Sequence, residues 1–370
     1  MIIIIIIIII IIRTIKDMNY QTSTQRQSWT MNEREVMNRR LKQREIVIKQ
    51  IIDSRRTEEA EEEKERERTS ENGNEDDDER ERGNEMKMKE KYMLPTMKEE
   101  EVYRKRLEAK IEPLCNAFNL PIKVTTAAQL LFKRFCLQNS ILTTNLKIVM
   151  VASVYVACKV EESYVSAEQL CKVVKDIDHN KVLNAELAVL QGVNFQLISF
   201  SAFRPLRGFR ADAIHTIKQM SFVGGAVDDL SETIRECYNK AAIDLKKQLL
   251  TDLVFIYPPG QLALSAFLKA AREEKCKELE DYILTKCLRN EQDLIKNLEE
   301  IERVTEIEGL EPKEADAKKA DQAIKAFQKK HANSFRKAAA SKEEDDDEET
   351  REKKKQKVIS DKEKEDAAFE

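Results

Sequence analysis

Residues 150–162 read MVASVYVACKVEE, and this stretch decides the fold. Met150 to Cys158 are apolar or small on every face of a helix. A helix without a polar face is one that other helices surround. Ala152, Ser153 and Ala157 are small enough to let neighbours approach closely. The segment then ends in Lys159, Val160, Glu161 and Glu162. Acids at a helix C-terminus oppose the macrodipole by ~0.3–1 kcal/mol each, whereas a lysine there is favourable. The polar end is either a solvated helix terminus or the point where a buried hub reaches a partner surface.

Working outward, helical segments flank this hub. KEEEVYRKRLEAKIEPLCNAF (98–118) carries Val102, Leu107, Ile111 and Leu114 on one side, and Pro113 is expected to kink it. VTTAAQLLFKRFCLQNS (124–140) puts Ala127, Leu130, Leu131 and Phe135 on one face. Downstream, SAEQLCKVV has Ser166 as its cap, and KVLNAELAVLQGV (181–193) closes the set. After NFQLISFSAFRP a second set follows: 206–220, 228–256, 258–274, 277–284 and 291–307. Its third member, QLALSAFLKAA, is again rich in small residues, and Pro258 and Pro259 mark its start. Two sets of about five helices around an Ala-rich hub predict an all-α internal repeat.

Further helices lie outside the repeats. SWTMNEREVMNRRLKQREIVIKQII (28–52) reads as one helix, with Ser28 or Thr30 as cap and Glu33 completing a capping box. Its apolar stripe is expected at Val36, Met37, Leu41, Ile48 and Ile51 or Ile52. EADAKKADQAIKAFQKKHANSFRKAAA (314–340) is a C-terminal helix. Both should dock on the body through Trp29, Leu41, Ile324 and Phe327, near one another. Residues 53–92 and 341–370 are runs of like charges and read as disordered. Ile2–Ile12 is an isoleucine run too short for a ~20-residue membrane helix and without a signal peptide's flanks. We read it as an error in the gene model.

Composition excludes several functions. With 64 Lys+Arg against 68 Asp+Glu, the net charge of −4 leaves no global basic field for nucleic acid. The seven cysteines form no CxxC pair, so buried free thiols are expected rather than a metal site or disulfides. No HExxH, nucleophile elbow or Gly-rich phosphate loop occurs, so no cofactor, metal or catalytic residue is assigned.

LLFKRF, ASVYVACKVEE and NAELAVLQGVNFQL, in that order and spacing, resemble the first box of the cyclins. QSWTM, FKRFCLQNS, NFQLISFSAFRPLRGFRAD, YPPGQLALSAFL and EPKEADAKKADQAIKAFQKKHA are similar to segments of the H type. The resemblance implies two tandem five-helix cyclin folds, at 93–200 and 201–309, with a helix at each end (28–52 and 310–340). It implies that Lys159 and Glu186, the glutamate nine residues before Phe195, contact a kinase near its mobile C-helix. Val160, Leu190, Phe195 and Leu197 would press on that helix. Lys159 and Glu186 are then expected to meet on an exposed edge. The implied partner is cyclin-dependent kinase 7, with a RING-finger assembly factor and general transcription factor IIH, in the nucleus. No direct nucleic acid or membrane contact follows. Without the resemblance, Phe195 and Leu197 read as core residues. Lys353–Lys355 and Lys357 read as a nuclear signal or as a solvated tail.

Departures limit the match. The charged linker is long, the Lys159–Glu186 interval is slightly short, and EVYRKRL lacks the Met-Arg-x-x-Leu segment of a substrate-docking groove. Another transcriptional cyclin, of type C or K, is an alternative; type C shares FKRF and the YPP turn but lacks the long terminal helix and has a serine where Cys158 stands. A factor IIB-like protein would need a zinc ribbon and a basic core. A helical scaffold without a kinase is the remaining reading.

Overall fold

The hub expected from the sequence is largely buried, from Val149 to Cys158 except Tyr155, and the helix before it is buried more continuously still. The computed structural model describes residues 20–69, 92–174, 176–220 and 226–336, and among these there is no β-strand. The first repeat comprises α3 (Met97–Ala117), α4 (Ile122–Gln138), α5 (Leu146–Val160), α6 (Ala167–Val173) and α7 (His179–Gly192). Asn145 starts α5, its side-chain oxygen accepting from the N–H groups of Lys147 and Ile148. Ser166 and Gln169 close a reciprocal capping box on α6. Helix α3 continues through Pro113 to Ala117.

Helix α4 was expected to show one apolar face, yet Val124 to Leu137 are all buried. Its charged residues are accommodated inside. Lys133 donates to Glu108 of α3 at 2.7 Å, both side chains at 0% exposure, and Arg104 donates to the other Glu108 oxygen at 2.5 Å. Helices α4 and α5 pack along each other, and α7 packs on α5.

The second repeat comprises α8 (Phe203–Met220), α9 (Ala226–Gln248), α10 (Leu253–Ile256), α11 (Pro259–Glu273), α12 (Lys277–Asp281, continued by a π-helical turn Tyr282–Cys287) and α13 (Gln292–Glu308). Pro259 occupies the first turn of α11, where its missing N–H costs nothing. The stretch 228–256, read as one helix, breaks between α9 and α10. Thr251 Oγ1 accepts from the Leu253 N–H there.

The N-terminal helix differs from expectation. It is two helices, α1 (Thr24–Trp29), capped by Ser23, and α2 (Glu33–Thr69), begun by Asn32 rather than by Ser28 or Thr30. The break is pinned to the second repeat, because Met31 donates its N–H to Phe255 O at 2.8 Å. Helix α2 also runs past Asp53 to Thr69, through part of the expected disordered linker. Its Glu, Arg, Lys and Ala residues are good helix formers. The inward face of α2 is Val36, Arg44, Val47 and Ile51; Met37 is exposed. Arg40 forks onto Asp252 of the second repeat at 2.5 and 2.7 Å, joining the terminal helix to both repeats through Arg104.

Helix α14 (Glu314–Lys330) packs on α3 and buries Ile324 and Phe327. It meets α2 through Tyr92. The Tyr92 carbonyl faces His331 Nε2 at 2.9 Å, and Arg55 stands 4.9 Å from the Tyr92 ring centre. The isoleucine run, residues 70–91 and the tail from 337 lie outside the described residues.

Candidate docking face

The C-terminal end of α5 is folded back by its own backbone. Ser163 donates its N–H to Cys158 O at 2.8 Å and Glu162 to Lys159 O at 3.3 Å, the two bonds of a Schellman cap. Glu162 takes the left-handed position at φ 55°, where glycine is usual. The acids that oppose the dipole are offset from the neighbouring helix. Lys123 donates to Glu161 O at 2.8 Å and lies 3.3 Å from its carboxylate. Cys158 is buried, and that burial pushes its thiol up to about 12, so it is not a nucleophile.

Lys159 and Glu186 meet at this end. The Lys159 ammonium donates to Glu186 Oε1 at 2.7 Å and Oε2 at 2.8 Å. It also stands 4.2 Å from the ring centre of Tyr155, one turn back on the same helix. The pair is less exposed than expected, with side-chain exposures of 21% for Lys159 and 11% for Glu186. An ammonium has three hydrogens and a carboxylate about four acceptor sites, so each group keeps capacity for a further bond.

Helix α7 ends with the same cap. Phe195 donates to Leu190 O and Asn194 to Gln191 O, both at 2.8 Å. Asn194 and Phe195 are consecutive left-handed residues, at φ 52° and 56°. For a bulky residue such as Phe195 this is a strained conformation of the kind that collects at functional sites. It turns the ring outward, to 43% exposure. Leu190 and Leu197, expected to press on a partner, are buried, Leu190 on the inward stripe of α7 with Val182 and Val189 and Leu197 at the wall of the groove beyond the cap. Val160 is half-buried, and with Leu197 it lines a groove of about 890 Å³ shared with Tyr20, Phe200, Pro205 and Pro258.

Four residues at this end lie outside the set the sequence points to. Leu183 and Leu187 are exposed on α7, on either side of Glu186 in sequence, and Tyr164 is exposed after the α5 cap. Lys123 holds that cap. The signal for the leucines was present: they stand four apart, off the stripe of Val182, Val189 and Leu190, so α7 carries more apolar residues than one buried face needs. Among the described residues no group of three or more His, Cys, Asp or Glu is arranged to hold a metal, and no helix is long and apolar enough to cross a membrane.

Two family models match consecutive parts of the chain: the cyclin N-terminal domain over residues 78–198 and the cyclin C-terminal domain over residues 201–310. The chain belongs to the cyclin family. Among curated relatives, this cyclin is 38% identical to Cyclin-H1-1 of Arabidopsis thaliana over 168 residues, 45% of this chain and 48% of the relative. It is 32% identical to Cyclin-H of Xenopus laevis over 201 residues, 51% and 57% of the two chains. The cyclin thus spans about half the length of the curated relatives it matches. Its fold is similar to a chain in the Chaetomium thermophilum CAK complex bound to ATP-gamma-S (TM-score 0.57, 20% identity, 86% of each chain). It is also similar to a chain in yeast TFIIK, the Kin28/Ccl1/Tfb3 complex (TM-score 0.55, 19% identity, 77% of this chain and 100% of that one).

Proposed function

We propose that this cyclin is the regulatory subunit of a kinase of the cyclin-dependent kinase 7 type, with no catalysis of its own. Lys159, Val160, Glu186 and Phe195 make its docking edge, with Leu190 and Leu197 supporting it from the core. The observation that carries this reading is the Lys159–Glu186 pair beside an apolar groove, with spare hydrogen-bonding capacity on both charges. The H-type names of its relatives and its likeness to chains of CAK and TFIIK complexes point the same way. A RING-finger assembly factor and general transcription factor IIH are the further partners, acting in the nucleus on RNA polymerase II transcription and the cell cycle. Neither nucleic acid nor membrane is contacted directly.

The mechanism is allosteric. A kinase is active when its C-helix glutamate pairs with the strand lysine that holds the ATP phosphates. Docking the C-helix on a rigid face selects that arrangement. Moving a kinase from ~1% to ~99% active needs ~5.5 kcal/mol of differential binding. An apolar groove with a charged rim, within an interface on the order of 1,600 Å², supplies free energy of that order.

The test is reconstitution. The purified cyclin is mixed with the kinase subunit, and phosphoryl transfer to a polymerase-tail peptide and to a kinase activation loop is followed. Activation together with co-elution supports the reading. Phosphoryl transfer by the cyclin alone, or no association with the kinase, overturns it.

A further inference from the structure

Arg134 is a buried cation without a counter-charge. It lies on α4 at 1% exposure, and no carboxylate pairs with it among the described residues. Its guanidinium is held by dipoles and a ring. Nη1 donates to Gln196 O at 2.9 Å and Ile198 O at 3.1 Å. Nη2 donates to Gln25 Oε1 at 3.1 Å, and the cation stands 5.3 Å from the Trp29 ring centre. Gln25 then continues the same line. It accepts from the Phe200 N–H at 2.7 Å and donates to Phe200 O at 3.3 Å, as a paired strand would. Tyr20 meets the Phe200 ring edge-on at 5.7 Å between ring centres.

The backbone of 196, 198 and 200 is therefore gripped at alternate residues. One half of the grip is Arg134, from inside the first repeat. The other half is α1, which belongs to neither repeat. The gripped stretch is the one that leaves Phe195, carries Leu197 and walls the groove.

We propose that α1 and Arg134 form a latch that sets the shape of residues 196–200, making Gln25, Trp29 and Arg134 positioning residues for docking. The inference rests on the proposed function only in naming the kinase as what docks. The latch is incompletely satisfied: Trp29 Nε1, Arg134 Nε, Gln196 Oε1 and Thr24 Oγ1 are buried without a hydrogen-bond partner among the described residues. A latch with unmade bonds opens more readily than a saturated core. Two events on one element are linked reciprocally, so closing the latch favours docking and docking closes the latch.

The test compares the full-length chain with Gln25→Ala and Gln25→Glu. Glu keeps the acceptor for Arg134 and for the Phe200 N–H. Three quantities are measured: hydrogen exchange of amides 196–200, the melting temperature, and the dissociation constant for the kinase subunit. In Gln25→Ala, exchange at Phe200 should rise about tenfold and kinase affinity fall about tenfold (~1.4 kcal/mol), with the melting temperature lowered by only a few degrees. Gln25→Glu should retain most of both. Kinase added to the parent should slow exchange of residues 24–29, and less so in Gln25→Ala. Unchanged exchange at 196–200 refutes the latch. Raised exchange with unchanged affinity refutes its positioning role, and a large fall in melting temperature shows the residue to be merely structural. If the parent itself does not bind the kinase, the proposed function fails, while the exchange comparison still reports on the latch.

Discussion

Exchanging the charges of Lys159 and Glu186 separates holding the fold from binding a partner. At 2.7 Å the gross Coulomb attraction is ~6 kcal/mol for an effective dielectric near 20. The net value is far smaller, because both groups lose hydration. The single substitutions should be unequal. Lys159→Ala strands a carboxylate that is 11% exposed, at a cost of ~2–3 kcal/mol. Glu186→Ala leaves a longer, more exposed cation that still has the Tyr155 ring, at a cost of ~1 kcal/mol. Lys159→Glu combined with Glu186→Lys rebuilds the pair. It should recover more than half of the lost stability, the remainder reflecting an acid in the last turn of α5, which opposes the dipole by ~0.3–1 kcal/mol. A partner, however, meets reversed charges. Each charge-assisted bond to the kinase is worth ~1.5–3 kcal/mol, so affinity should fall by about one to two decades in each single variant and stay low in the exchange. Urea midpoints and kinase titrations by anisotropy measure the two effects. A charge-exchanged protein that binds the kinase as the parent does would refute the reasoning and leave the pair a structural one.

The other expectations concern the buried charges and one cap. Lys133→Met should cost ~3 kcal/mol, because Glu108 at 0% exposure then keeps only Arg104; adding Glu108→Leu should recover part of it, read from urea midpoints. Asp252 is pushed up by burial but held well below the usual carboxylate range by Arg104 and Arg40. A carboxyl held below its unfolded value of ~3.9 contributes in full above that pH and loses its contribution as the pH falls through its folded value. Asp252→Asn should therefore be less stable than the parent at pH 7, and the gap in urea midpoints should shrink towards pH 3. Glu162→Gly relieves a left-handed residue at φ 55° and should raise stability by ~1 kcal/mol, a few degrees in melting temperature.

The helix order and the hub were legible because period and caps are local properties. The unbroken apolar run of α5 has one explanation, and Ser166 with Gln169 has another, each contained within a few residues. The burial of α4 was not legible. FKRF looks like a helix with a polar side until Glu108 and the carbonyls of Gln196 and Ile198 are beside it, and those come from elsewhere in the chain. The break between α1 and α2 was missed for the same reason, since it is fixed by Met31 reaching Phe255. The inward placing of Leu197 follows a left-handed phenylalanine that no propensity favours. Periodicity identified the faces of the helices; long-range polar contacts decided where they stopped.

The corresponding ends of the two hub helices differ in the surface they present. Helix α11 ends as α5 does: Cys276 donates to Ala271 O at 2.9 Å, Lys275 donates to Arg272 O at 3.2 Å, and Lys275 stands at φ 55°. The matching caps align Arg272 with Lys159, Glu273 with Val160 and Glu274 with Glu161. Arg272 even has an acid, Glu280 at 2.9 Å, but from α12 rather than from the long helix that follows. Where Val160 opens onto an apolar groove, Glu273 stands among Lys240, Asp244, Lys247 and Lys269 around a much smaller recess of about 210 Å³. Charges there are engaged with one another, Lys240 with Glu274 and Lys269 with Asp244 and Glu306. A partner's apolar helix would have to strip water from those charges without replacing their bonds, a penalty that apolar burial does not offset. The shared skeleton therefore carries the proposed docking edge in the first repeat and not in the second. The backbone cap is common to both copies, and the difference lies in an apolar residue and an extended segment braced from outside the repeats.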